Sequence, residues 1–509
     1  MDTSSTATRR RFLQTGAVLG AAGAAGAIGV LPEAQAKTPA KAPAFHRGLG
    51  NLDALRKTLH GRLILPGEMG YMMAAYPNNA RWADVLPFAI VMCADAHDVQ
   101  FAIRWARDLQ LPFAIRSGGH NYAGFSTTRG LLIDVKAMNG IRLDPKNGTV
   151  TIAAGVNNQN MADAMSGTDF AVPSGRCPTV GAAGLVLGGG WGFAATHAGL
   201  TCDSLVASEI VLASGKLVTA TPENEYKDLF WGLCGGGGGN FGVNTSFTFQ
   251  LHDVRDDVTI FNLLWPGEKQ VEMLLLLQKI QLDNATTIST RTKAYPERAG
   301  AHPKMGELQV ATLGQFFGPK EKLMEILRPA LELVKPIKMD IRQMRYWQAR
   351  DYLITDDPTG MYDIRSSYVE SSLGGEALEN MLKWMTKWPG GSLLPENMGI
   401  LFAIGGKVKA RAPDATAYVH RNANFIFEME CAWAPIDKGD VVRRQQAWLS
   451  DYYNDMQRFV LKQSYVNFPC RDIPHAIEKY YAGNLKRLKE IKRKYDPLNT
   501  FRFEQSIPL

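Results

Sequence analysis

The sequence predicts an α+β protein of more than one domain, and three observations carry that reading. The chain has 509 residues, more than a single hydrophobic core usually organises. Up to Asp253, short apolar runs end in glycine-rich loops, as strands do when they hand the chain to turns. From Val254 to Phe459 the pattern changes to long amphipathic helices separated by alternating strands, which predicts an antiparallel sheet covered by helices on one face.

Composition and the N-terminus narrow the function classes. With 46% hydrophobic and 21% charged residues the chain is an ordinary globular protein. Its net charge of +7 is scattered except in KRLKEIKRK near the end, which is no nucleic-acid footprint. Thr8, Arg9, Arg10, Phe12 and Leu13 match a twin-arginine export signal, followed by a weakly apolar Ala/Gly run and a small-residue cleavage site before Lys37. Residues 1–36 are therefore expected to direct export to the periplasm or medium of a bacterium, without stable membrane insertion. The six cysteines, Cys93, Cys177, Cys202, Cys234, Cys431 and Cys470, show no CxxC or other metal-ligand spacing, so no metal is expected.

Taken in order, LPFAIVMCADAHDVQFAIRWARDLQ reads as a strand and then a helix capped by Asp95, with Val99, Ala102, Ile103 and Ala106 on one face. Phe113 to Ile115 form a short buried strand that runs into RSGGHNYAG, Arg116 to Gly124. Gly118 and Gly119 let amide N–H groups converge on an anion, and Arg116 and Ser117 add charge and a hydroxyl. His120 and Asn121 follow at once. The loop is neither a GxGxxG fingerprint nor a Walker motif. Two more strands with turns at Asn139-Gly140 and Asn147-Gly148, and a polar helix from Asn158 to Met165, lead to PSGRCPTVGAAGLVLGGGWGF, Pro173 to Phe193. Its glycines Gly181, Gly184, Gly188, Gly189 and Gly190 suit close backbone approach to a flat, phosphate-bearing ligand, with Cys177 at the entrance. The run Gly235–Gly239, set between apolar residues and followed by Asn240, Gly242 and Val243, is expected to approach the same ligand.

Together, RSGGHNYAG, GRCPTVGAAGLVLGGGWG and GGGGGNFGV resemble the flavin-binding domain of the vanillyl-alcohol oxidase and p-cresol methylhydroxylase superfamily. The final segment, from Tyr465 to Leu509, looks like the terminal module of its berberine bridge enzyme branch. The resemblance implies FAD bound between two α+β subdomains (37–253, completed by 460–509), with a substrate domain inserted at 254–459. It also implies two covalent flavin bonds, from His120 to the 8α-methyl carbon and from Cys177 to C6. Val180 corresponds to a position that gates oxygen in relatives and is of the oxidase type, making molecular oxygen the expected acceptor.

In the strand NANFIFEMECAW, Phe425, Phe427 and Met429 lie on one face and Ile426, Glu428 and Glu430 on the other. Two carboxylates on an apolar strand need either an ion-pair partner, such as Arg411 or Arg421, or a catalytic role. Counting back from Trp433, Glu428 falls where the branch carries a catalytic glutamate, making it the leading base, with Tyr465 and Tyr122 as alternatives and Glu430 facing substrate. The terminal motif Tyr465-Val466-Asn467-Phe468 departs from the family, which commonly has tyrosine at the last position. Trp191 stands where plant relatives have tyrosine. Both changes fall on the substrate side. The expected activity is oxidation of an alcohol, sugar or phenolic small molecule. The competing reading is a flavoprotein that binds a ligand or passes electrons to a protein partner; a Cys177–His120 hydrolase leaves the glycine loops unexplained.

Overall fold

The computed structural model describes residues 52–354 and 360–509, so the twin-arginine-type stretch lies outside the described residues. The first half builds two sheets. A four-stranded sheet has the order Arg62–Ile64, Ala89–Met92, Leu131–Asp134, Phe113–Arg116, with its last three strands parallel. Parallel pairing of Ala89–Met92 and Phe113–Arg116 with the central strand requires a crossover, and the helix Ala96–Asp108 provides it. Asp95 caps this helix by accepting from the Asp98 N–H, and Val99, Ala102, Ile103 and Ala106 are buried as the periodicity requires.

The second sheet is antiparallel, ordered Ile141–Asp144, Thr149–Ala153, Gly242–Gln250, Leu205–Leu212, Leu217–Ala220. The region read as two strands after the His120 loop holds three (Leu131–Asp134, Ile141–Asp144 and Thr149–Ala153), because Asn147-Gly148 closes a hairpin in which Gly148 has φ +65°. The helix Asn158–Met165 forms with Asn157 as its cap.

A seven-stranded antiparallel sheet follows, ordered Lys338–Arg345, Asp257–Trp265, Leu308–Phe316, Ile288–Pro296, Gly399–Ala403, Phe425–Trp433, Met361–Val369. Helices Gln270–Asp283, Lys320–Leu333, Gly375–Thr386 and Gly439–Met456 pack on one face. That interface buries Trp265, Leu274, Leu327, Met381, Trp388, Phe427 and Tyr452 in one cluster. Its apolar area supplies the main driving force for this layer.

Two readings are corrected here. The strand expected over Asn422–Trp433 begins only at Phe425; just before it Arg421 is fully buried and its guanidinium binds Asp203, Thr416 and the Tyr418 carbonyl, folding that stretch into a loop. Arg411 and Arg421 therefore pair with Asp203 and not with the strand carboxylates. All six cysteines are buried and none forms a disulfide among the described residues. Among the described residues no helix is long and apolar enough to cross a membrane.

Candidate functional site

The His120 loop and the Cys177 turn touch backbone to backbone. A Cβ on Gly118 would fall 2.2 Å from the Gly181 nitrogen, and one on Gly181 would fall 2.3 Å from Ser117 Oγ. Glycine at both positions is what permits the contact. Ser117 donates its hydroxyl to the Ala154 carbonyl at 2.7 Å, which holds the loop from below. His120 Nε2 lies 2.8 Å from Thr179 Oγ1, inside the turn that carries Cys177. That turn is closed by the Val180 N–H on the Cys177 carbonyl, which also accepts from the Asn158 side-chain amide at 2.9 Å.

His120 and Cys177 consequently open on one cavity of about 270 Å³. Its walls include Ser117, Gly118, Gly119, Asn121, Val180, Gly181, Gly184, Asn240, Gly242, Val243 and Asn467, together with Gly237, Gly238 and Gly239. A Cβ at Gly184 meets nothing within 4 Å, so hydrogen there leaves open space along the wall. Gly119, Gly237 and Gly239 have φ of +79°, +83° and +73°, conformations that turn bare backbone toward a ligand. The cavity suits a flat, phosphate-bearing group.

Five residues expected at the ligand do not wall this cavity. Arg116 is buried, and its guanidinium is consumed by the carbonyls of Ala74, Ala75 and Ser126 at 2.6 to 2.9 Å. It anchors the loop. Gly124 makes room for the Trp82 ring, 2.6 Å from a notional Cβ. Gly188, Gly189 and Gly190 accommodate Asn467, Tyr418 and Thr201 in the same way, at 2.0, 2.9 and 2.4 Å. The five-glycine run is likewise divided: Gly235 is pressed against Tyr418, while Gly237 to Gly239 face the cavity.

One end of the cavity is aromatic. Tyr122, Trp191, Phe402, Tyr465 and Phe468 all line it. Phe468 is central, with ring centroids 5.4 Å from Tyr122, 5.0 Å from Tyr465 and 5.8 Å from Phe402. Trp191 is fixed by donating its indole N–H to the Ala403 carbonyl at 2.7 Å. The Tyr465 oxygen accepts from the Gly190 N–H at 3.0 Å and the Asn467 amide at 3.1 Å. Burial still pushes its phenol up to about 12, because desolvation of the phenolate outweighs the two donors.

Behind this end stands the face of the seven-stranded sheet opposite the four long helices. Glu428 is buried between Ser366 and Ile400 on neighbouring strands and does not itself wall the cavity. Glu430 accepts long contacts of 3.3 and 3.4 Å from the Asn397 amide. A buried cation that attracts both is Arg291, which the sequence reading passed over. Burial, and then repulsion from Arg176, lower its guanidinium to about 10, opposed by attraction to Glu428, Cys177 and Glu430. Arg291 donates to Asn397 Oδ1 at 2.8 Å and lies 5.8 Å from the Phe402 ring centroid. The strand ISTRTKAYP carried the signal, since Arg291 and Lys293 alternate onto one face of an otherwise buried strand. Phe402 was hidden in a strand buried at every position.

Residues 87–221 match the family described as FAD binding domain, and residues 464–508 match Berberine and berberine like. The chain is 34% identical over 459 residues to the uncharacterized FAD-linked oxidoreductase YvdP of Bacillus subtilis, covering 88% of this chain and 98% of that one. It is 26% identical over 446 residues to monolignol oxidoreductase AtBBE-like 13 of Arabidopsis thaliana, covering 81% and 82%. Among solved structures, wild-type BBE-like 1 of Physcomitrella patens superposes with a TM-score of 0.79 at 25% identity, over 90% of this chain and 99% of that chain. The chain thus belongs to the berberine bridge enzyme-like family of FAD-linked oxidoreductases.

Proposed function

We propose that the protein is an exported FAD-linked oxidase, with flavin tethered through both His120 and Cys177, that oxidises an alcohol, sugar or phenolic small molecule using molecular oxygen. The observation that carries this reading is the Gly118–Gly181 contact, which joins the two loops so that His120 and Cys177 serve one cavity. When bound, FAD supplies the hydride acceptor at N5.

His120, whose Nε2 lies 2.8 Å from Thr179 Oγ1, is assigned to the 8α-methyl carbon. Cys177 is assigned to C6, and the buried Arg291 cation attracts its thiolate. Trp191, Phe402 and Phe468 hold the apolar face of a substrate ring. Tyr465 stays protonated through the neutral range and presents a hydroxyl to the substrate. The base that takes the substrate proton is Glu428, buried on the sheet face behind this end of the cavity. Val180 on the wall near Cys177 is the oxidase-type residue at the oxygen position. The similarity to a monolignol oxidoreductase supports an aromatic alcohol within this range. Residues 37–253 and 460–509 are assigned to flavin, residues 254–459 to substrate, and residues 1–36 to export.

Anaerobic mixing with a panel of alcohols, sugars and phenols tests this. The expected result is bleaching of the flavin absorbance by at least one class and its return on admitting air. A shifted but unbleached spectrum with every class would replace catalysis with ligand binding, and bleaching that air does not reverse would replace the oxidase with a dehydrogenase.

A further inference from the structure

A second cluster of chemistry-bearing groups lies where the chain enters the four-stranded sheet. We propose that His60, Asp95, His97 and Asp98 form a binding site for a borderline first-row divalent cation of the zinc class. Each offers one ligand atom, and the four atoms lie within 4.8 Å of one another. None of the four walls the flavin cavity.

Two of the ligands are held in place before any ion arrives. Asp98 is fully buried, and its carboxylate accepts from the backbone N–H groups of His60, Gly61 and Ala94 at 2.8 to 2.9 Å. Those bonds draw the His60 segment against the helix start and leave Asp98 Oδ1 3.6 Å from His97 Nδ1. Asp95 uses Oδ1 to cap the helix at the Asp98 N–H, and its Oδ2 lies 2.6 Å from His60 Nδ1. The two imidazoles stack at 4.7 Å between centroids. A tetrahedral ion with ligand bonds of about 2.0–2.2 Å needs ligand atoms roughly 3.4 Å apart. The His60 and His97 side chains, 62% and 48% exposed, have the freedom to reach that spacing.

Charge and ligand type select the ion. Two carboxylates and two neutral imidazoles balance a dication, and the carboxylates offset the positive end of the helix. Imidazole nitrogen favours zinc, nickel or copper over magnesium and calcium, which prefer all-oxygen shells. An ion here would clip the segment following the helix Leu52–Thr58 to the helix Ala96–Asp108, bridging residues 35 positions apart in the chain, His60 and Asp95. The pattern escapes motif searches because one ligand is distant in sequence and the other three crowd a single helix start.

The test is calorimetric titration of chelator-treated full-length flavoprotein with zinc, nickel, magnesium and calcium chlorides. Saturable binding of one zinc or nickel per chain, with no heat from magnesium or calcium, is expected. His60→Gln and His97→Gln should each weaken zinc binding by more than about tenfold while leaving the flavin absorbance unchanged. Absence of saturable zinc binding, or unchanged binding in the His60→Gln, His97→Gln double variant, would overturn the proposal.

Discussion

Replacing Gly181 by alanine isolates the contact on which the flavin clamp depends. Gly181 has φ −65° and ψ 126°, which any residue adopts, so the cost is purely one of space. The new Cβ would lie 2.3 Å from Ser117 Oγ and 2.4 Å from the Gly118 nitrogen. Backbone cannot swing aside as a flexible side chain can, and Ser117 is held by its bond to the Ala154 carbonyl. The loops must part, at an overpacking cost of about 1–3 kcal/mol, and His120 and Cys177 lose their common register. Gly184→Ala, three residues on, is the control. It lies in the helix Ala182–Leu187 with nothing within 4 Å of its Cβ, so alanine there favours the helix by about 1 kcal/mol while placing a methyl in the cavity wall. Melting temperature and flavin retained after acid precipitation are the assays. Gly181→Ala should lower both, whereas Gly184→Ala should lower flavin content without lowering the melting temperature of flavin-free protein. Full flavin content and an unchanged melting temperature in Gly181→Ala would refute the clamp.

Three further outcomes follow from named groups. Glu428→Gln should slow anaerobic flavin reduction by about 10²–10⁴-fold with the flavin spectrum intact, and Tyr465→Phe should cost less, as measured by stopped-flow absorbance. His420 is buried against Gln463 and the Tyr480 carbonyl, and desolvation lowers it from 6.5 to about 4. Because the unfolded chain takes this proton first, stability is fully present above about pH 6.5 and falls toward pH 4, by about 3 kcal/mol. Urea midpoints of wild type and His420→Gln should therefore differ in their pH slope across that window. Lys492, fully buried, donates to Asp496 at 2.7 Å and to the Asn240 carbonyl; Lys492→Met strands the Asp496 charge and should cost about 3–5 kcal/mol, read by denaturant unfolding.

Local chemistry was legible in the sequence wherever it acts through neighbours along the chain. Asp95 caps the helix expected of it, the polar helix Asn158–Met165 forms over its expected span, and the faces of the strand at Phe425–Trp433 divide as alternation requires. The loop residues His120 and Cys177 reach one cavity because glycine spacing fixes where backbone approaches backbone. What escaped depends on contacts made across the fold. Arg116 looks like a phosphate ligand, yet three carbonyls claim it. Gly188 to Gly190 carry the same residue type as Gly184, but whether a bare backbone faces a ligand or a tyrosine is decided by Tyr418 and Asn467, far along the chain. Arg291 and Phe402 enter the site through a sheet register set by pairing of Ile288–Pro296 with Gly399–Ala403, which periodicity within one strand does not encode.

The central claim is that two side chains on two joined loops carry the flavin, and acid precipitation of the purified protein tests it most directly. Yellow colour should stay in the pellet for wild type and for His120→Ala or Cys177→Ala alone, and pass to the supernatant for the double variant. Flavin released from the wild-type protein, or retained by the double variant, would contradict the account.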